Sequence, residues 1–500
     1  EWHDIRKLGV TKTTDEAGGG HAHSGMAIVP PGLWGEDYDN SLLTVNLHGR
    51  RINRDRLVRE GATYVGKHAE DFLQASDPWF RGVELHFGPH GTLYVADWSD
   101  VGECHENDGV HRTSGRIYQI RPENDPPRPY DDGRHGSIGE ASSRRLAGVF
   151  VSEQPWLNFH AIRILAERAA AGEDLKLPRE ILQIDYVLAK RPVTQRLPAL
   201  WALHATGGCP EAVLERLLDD PSENIRVWAV RFAAEAGRLS PALQKKITTM
   251  AESDESGLVL AYLASIMNRL PYEQRWPIAR QLVRHRLFAN DRVFPLMVWY
   301  AIEPALLSNS EAAVQLAVNS KLPLVRELIA RRLTEEIERL PKSVEQLVSV
   351  LAGKVTSESQ KHDILHGMTD ALRGWRKAPQ PKIWKQASLA LNKSSNDEIS
   401  RLTRELSLVF GDGRAMDELR KIARDGGVPL EERRSAIRAL VLVRDETIVS
   451  YLQDLLTNRD LGKDAINGLA AFGNEETPKL LVSKFSGFRN AAKREAINTL

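Results

Sequence analysis

The chain has 500 residues, too many for a single hydrophobic core, so two or more domains are expected. Its 67 Lys+Arg residues balance 67 Asp+Glu, which gives no electrostatic case for nucleic acid or for an anionic membrane surface. No apolar run reaches the ~18 residues that a membrane span needs. The two cysteines, Cys104 and Cys209, make no disulfide framework. Neither belongs to a C-x-x-C-H motif, so covalent haem is not expected in this segment. The sequence begins at Glu1 without Met and stops at Leu500 inside a helical pattern, so it is expected to be a fragment of a longer protein.

The first predicted element contains Gly20-His21-Ala22-His23-Ser24-Gly25-Met26. His21 and His23, at i and i+2, lie on one side of an extended strand. Two imidazoles so placed can hold Zn, Cu or Fe if a third ligand joins them. Strands are predicted at 41–47 and 51–58, with His48 between them. Residues 79–98 read as a β-hairpin, in which Val83, Leu85 and Phe87 share one face and Leu93 and Val95 continue it beyond a Pro-His-Gly turn. The loop that follows carries Asp97, Asp100, Glu103, Glu106 and Asp108, a carboxylate set suited to Ca2+. Cys104-His105 with His111 suits a softer metal instead. A solvated loop is the competing reading. A strand at 116–120 closes the unit. Together these make one to two four-stranded β-propeller blades at 1–125, with the remaining blades expected upstream.

Pro, Gly, Ser and Arg are dense from 122 to 147, and a linker is predicted at 126–154. The pattern from 155 to 500 is helical. Ile225, Trp228, Ala229, Phe232, Ala233 and Ala236 follow i, i+3, i+4 spacing, with Ser222 as a cap and Gly237 as a stop. Asp219-Asp220-Pro221 marks the turn before this helix, a HEAT-like signature. Ala-Ile-x-x-Leu-like patterns recur at Ala436, Ala465 and Ala496, spaced as paired helices of a solenoid. A HEAT-like α-solenoid, incomplete at its C-terminus, is therefore predicted for 155–500. Its histidines, His204, His285, His362 and His366, read as scattered, and its tryptophans as packing residues.

One stretch is more specific than the rest: Arg81, an apolar strand, Gly88-Pro89-His90-Gly91, Leu93-Tyr94-Val95-Ala96-Asp97-Trp98, an acidic loop, then Gly115-Arg116-Ile117-Tyr118. It resembles the closing blades of sugar-dehydrogenase-like propellers. With the helical segments 159–168, 196–204 and 298–304, the whole chain is similar to the membrane-bound dehydrogenases of bacteria. That family joins such a propeller to a HEAT-repeat array and a c-type haem domain. The resemblance implies an oxidoreductase of the cell envelope or periplasm that oxidises a sugar-like alcohol or aldehyde. Electrons would pass to a c-type haem domain outside this segment. It implies pyrroloquinoline quinone with Ca2+ or a transition metal as cofactor, and Arg81 facing the cofactor's carboxylates. At the place of His48 the related enzymes have a lysine that touches the quinone, and a histidine supplies no permanent charge. That departure favours the alternative, a non-enzymatic propeller–solenoid scaffold for carbohydrate or protein, with a protein partner on the concave face of the solenoid. The expected site gathers His48 and Arg81 as catalytic or cofactor-binding residues. His21, His23, Asp97, Asp100, Cys104 and His105 are its metal ligands. All should meet at one channel mouth, with Arg81 an exposed rim residue that adds little to folding.

Overall fold

The computed structural model describes residues 23–88, 91–99, 113–123, 137–152, 154–188, 190–353, 357–411 and 413–500. Two small antiparallel sheets come first. β1 (His23–Ile28), β2 (Ser41–Asn46), β3 (Arg51–Glu60) and β4 (Thr63–His68) follow one another as a meander, and the short β5 (Leu73–Gln74) pairs with β3. β6 (Gly82–Phe87), β7 (Leu93–Asp97) and β8 (Arg116–Ile120) form the second meander. Period-2 alternation dictates the buried faces. Leu43, Val45 and Ile52 of the first sheet and Leu85, Phe87, Leu93 and Val95 of the second belong to one apolar core. β6 and β7 change register between Gly82 and Glu84, so Val83 sits at a bulge, half-buried, and leaves the alternation predicted for it. The predicted strands at 41–47, 51–58 and 116–120 are present. β4 and β5 were not foreseen, because β4 alternates its exposure with no fully buried residue and β5 has only two residues. Among the described residues the sheets do not close into a ring.

Twenty-two α-helices follow among the described residues. The chain divides into two compact units, Glu1–Arg269 and Leu270–Leu500, so the first helices share a unit with the sheets. In the first unit lie α1 (Ser143–Ala147), α2 (Pro155–Ala170), α3 (Lys176–Glu180, continued by a π-helix at Ile181–Val187), α4 (Val193–Ala205), α5 (Glu211–Leu217), α6 (Glu223–Ala233), α7 (Pro241–Ser253) and α8 (Gly257–Met267). Here α2 packs on α4, α4 on α6 and α6 on α8. The predicted linker is partly built. α1 lies within it, Ser143 Oγ donates to Glu173 Oε1 at 2.6 Å, and Tyr186 donates to the Gly148 carbonyl at 2.9 Å. Arg59 of β3 meets Glu223 of α6 at 3.5 Å. The His160 imidazole of α2 is held below its ordinary range, first by burial, then by Arg163 and by His86 of β6.

In the second unit lie α9 (Tyr272–Leu282), α10 (Phe294–Leu306), α11 (Ser310–Asn319), α12 (Pro323–Glu335), α13 (Pro341–Ala352), α14 (Glu358–Ala371), α15 (Trp384–Leu391) and α16 (Asp397–Val409). They continue as α17 (Gly413–Arg424), α18 (Leu430–Leu442), α19 (Val449–Asp454), α20 (Gly462–Leu469), α21 (Glu476–Lys484) and α22 (Asn490–Thr499). α10, α12, α14 and α16 stack in sequence, and α9, α11, α13 and α15 stack beside them. This two-layer stacking of helix pairs is the solenoid-like array that the period-3.6 pattern predicts. Ala436, Ala465 and Ala496 are all buried, on α18, α20 and α22, within one apolar cluster. Within each unit, buried or half-buried arginines tie helical turns together. Arg226 forks onto Asp254 at 2.8 and 3.0 Å, and Arg420 onto Asp445 at 2.6 and 2.9 Å. Arg326 bonds Asp363 at 2.8 Å. A planar guanidinium suits such two-point contacts. Two local expectations change: the Ser222 side chain does not cap α6, and that helix ends at Ala233, ahead of Gly237 in its left-handed turn (φ 73°).

Cys209 precedes α5. Burial pushes its thiol up to about 11. On the order of one thiol in a thousand is then thiolate near pH 8, against a much larger share in an unfolded chain. Iodoacetamide labelling of the peptide containing Cys209 should therefore be roughly tenfold or more slower in the native protein than in urea. Equal rates would refute the buried thiol. Following that one peptide by mass spectrometry separates it from Cys104.

Candidate functional site

Strand register brings several of the sequence candidates to one end of the sheets. His23 opens β1 opposite Asn46, the last residue of β2. His48 lies in the turn that follows β2. Gly82 opens β6 opposite Asp97, the last residue of β7. The two sheets touch there: Ser24 Oγ is 3.5 Å from the Gly82 carbonyl, and a Cβ on Gly82 would sit 2.4 Å from Val45 Cγ1. Only glycine allows that approach. His23, His48, Arg81 and Asp97 thus occupy the same end of the paired sheets. His21, Asp100, Cys104 and His105 lie outside the described residues.

Convergence of strand ends is not convergence of free side chains. His23 is exposed and His48 half-buried, but Arg81 is 8% and Asp97 4% exposed. The Arg81 guanidinium donates through Nη1 to the carbonyls of Pro78 at 3.1 Å and Phe80 at 2.8 Å. It is a buried group rather than the expected exposed rim arginine. Asp97 is more committed still. Its Oδ1 accepts the backbone N–H groups of Arg81 at 2.8 Å and Ser99 at 2.9 Å. Its Oδ2 accepts Arg116 Nε at 2.8 Å. Arg116 in turn reaches Asp77 at 2.5 Å. The Trp79 backbone N–H and then the Arg116 guanidinium hold the Asp77 carboxyl below the usual carboxylate range. Asp97 therefore ties the start of β6 to the end of β7 and to β8, and the metal-ligand role assigned to it gives way to that one. The arrangement does not fit a quinone anion: the arginine expected to face it is bonded to backbone carbonyls, and His48 has no fixed charge.

A second cluster stands in the solenoid, where the histidines read as scattered. α12 and α14 cross at Gly367, where a Cβ would lie 2.1 Å from the Glu327 carbonyl oxygen and 3.0 Å from the Arg331 nitrogen. The missing side chain lets the backbones meet. Glu327 of α12 then stands beside His366 of α14, with Oε1 3.1 Å from Nδ1. Asp370 lies one turn further along α14. One ligand atom from each of Glu327, His366 and Asp370 falls within 4.8 Å of the others. His362 stacks on His366 with ring centroids 5.9 Å apart. His366 and Asp370 line a cleft of about 520 Å3, whose other walls include Arg401, Glu405 and Arg438. Arg401 hydrogen-bonds Glu398, and this keeps the Glu398 carboxyl low and the guanidinium firmly charged. The signal for half of this site was in the sequence: His362, His366 and Asp370 repeat at i, i+4 spacing, which places them on one helix face. Nothing local pointed to Glu327.

Comparison with known proteins adds the following. Residues 3–124 match a family described as a domain of unknown function (DUF7133). No curated protein matches the chain. A crystal structure of an engineered protein is similar at 18% identity over 71% of this chain and 97% of its own, with a TM-score of 0.25. Importin beta, crystallised in an ammonium sulfate condition, is similar at 10% identity over 72% of this chain and 62% of its own, with a TM-score of 0.28. Among the described residues, no helix is long and apolar enough to cross a membrane.

Proposed function

We propose that the chain is a non-enzymatic scaffold: the sheets are propeller blades that bind a carbohydrate or protein ligand, and the helical array holds a protein partner. One observation carries this reading. Arg81 and Asp97, the charged rim groups with most to offer a cofactor, are bonded inside the fold. Groups held by two or three internal hydrogen bonds cannot turn to a ligand without leaving buried donors unsatisfied. Recognition then falls to exposed side chains and to the long faces of the helical repeats, the surface such arrays use for partners.

A second reading is the dehydrogenase of the cell envelope. The placing of His23, His48 and Arg81 at one end of the sheets favours it. One titration separates the two. The purified chain is mixed with pyrroloquinoline quinone and Ca2+, cleared of excess by gel filtration, and assayed for dye reduction with aldoses and polyols. The scaffold reading expects no retained quinone absorbance and no sugar-dependent turnover. Stoichiometric quinone with turnover would overturn it in favour of the dehydrogenase.

A further inference from the structure

We propose that Glu327, His366 and Asp370 form a binding site for a divalent transition-metal cation of the Zn2+ class, clamping α12 to α14. This goes beyond the scaffold reading and does not depend on it.

The chemistry of the donor set comes first. One imidazole with two carboxylates is a nitrogen–oxygen set that suits Zn2+ and its neighbours better than Mg2+ or Ca2+, which favour oxygen alone. Metal–ligand bonds of about 2.1 Å place neighbouring ligand atoms ~3.4 Å apart in a tetrahedral site. Glu327 Oε1 and His366 Nδ1 are already 3.1 Å apart, and all three donors fall inside 4.8 Å, so small side-chain rotations bring Asp370 to the ion.

The setting points the same way. His366 Nδ1 is shut off from solvent, yet it makes no hydrogen bond, although a carboxylate oxygen stands 3.1 Å away. A cation held among the three groups would give that nitrogen a partner and balance the two carboxylates. The backbone is built to hold the site: Gly367, next to His366, permits the helix contact that delivers Glu327. Asp370 is tied to the exposed side chain of Arg373, which a cation can displace. His366 and Asp370 also face the cleft beside Arg401, so a water or a small anion can complete the coordination from that side.

The test is a Co2+ titration of the full chain, read by its ligand-field absorption, with Zn2+ competition. Because His21, His23, Cys104 and His105 are metal candidates themselves, a background carrying His21→Gln, His23→Gln, Cys104→Ser and His105→Gln removes them. In that background one Co2+ is expected to bind, and Zn2+ to displace it. Glu327→Gln, Asp370→Asn and His366→Gln should each weaken binding roughly tenfold or more, while His204→Gln should leave it unchanged. Circular dichroism checks that each variant is folded. Should His366→Gln not fold, the two carboxylate variants decide. No bound Co2+ in the background protein, or an affinity within about twofold of it in any folded ligand variant, would overturn the site.

Discussion

Gly367→Ala should destabilise the second unit by about 3 kcal/mol, although alanine is the better helix former. A methyl group there would lie 2.1 Å from a main-chain oxygen, the Glu327 carbonyl, which cannot swing aside as a side chain would. The helices must separate. Overpacking of this kind costs about 1–3 kcal/mol. The same crossing holds the buried pair Arg326–Asp363, with Nε and Oδ2 2.8 Å apart, and separating the helices weakens that pair, for which outright removal of one partner would cost about 3–5 kcal/mol. Against this stands a gain of about 1 kcal/mol in helix propensity. Hydrogen exchange on the full chain should show protection falling in α12 and α14 while the first unit is unchanged. Protection that is equal or higher in those helices would show that the crossing relaxes freely.

Asp97→Ala should have an effect of similar size in the sheets, about 3 kcal/mol or more. The carboxylate is 4% exposed and serves two backbone N–H groups and Arg116. Its removal leaves two buried donors without acceptors, each costing about 1–3 kcal/mol. It also takes one of two carboxylates from Arg116, which keeps Asp77. Arg116→Ala should do less, because its side chain is a third exposed and the Asp97 bonds to the backbone survive. A three-stranded sheet is close to the minimum for independent stability, so β6, β7 and β8 should lose exchange protection together in Asp97→Ala. Unchanged protection there would return Asp97 to the rim as a ligand. The same reasoning applies to Arg81. A buried guanidinium on two carbonyls makes Arg81→Ala a destabilising change, not the neutral one that an exposed rim arginine would give.

Periodicity alone determined the switch from strands to paired helices, since backbone pattern and side-chain burial are set by spacing within a few residues. It placed β2, β3, the β6–β7 hairpin and β8, and it put Ala436, Ala465 and Ala496 on buried faces. The meeting of strand ends that carry His23, His48, Arg81 and Asp97 was legible too, whereas the histidines of α14 read as scattered although His362, His366 and Asp370 stand at i, i+4 spacing. Tertiary structure decided what those residues do. Whether Asp97 faces a ligand or two backbone N–H groups depends on how the chain enters β6 and leaves β7, and no spacing rule encodes that. Glu327 reaches His366 only because a glycine on another helix lets two backbones touch. A side chain's neighbours across a helix crossing lie far away in sequence, so the partners of a charged group become visible only once the helices are packed.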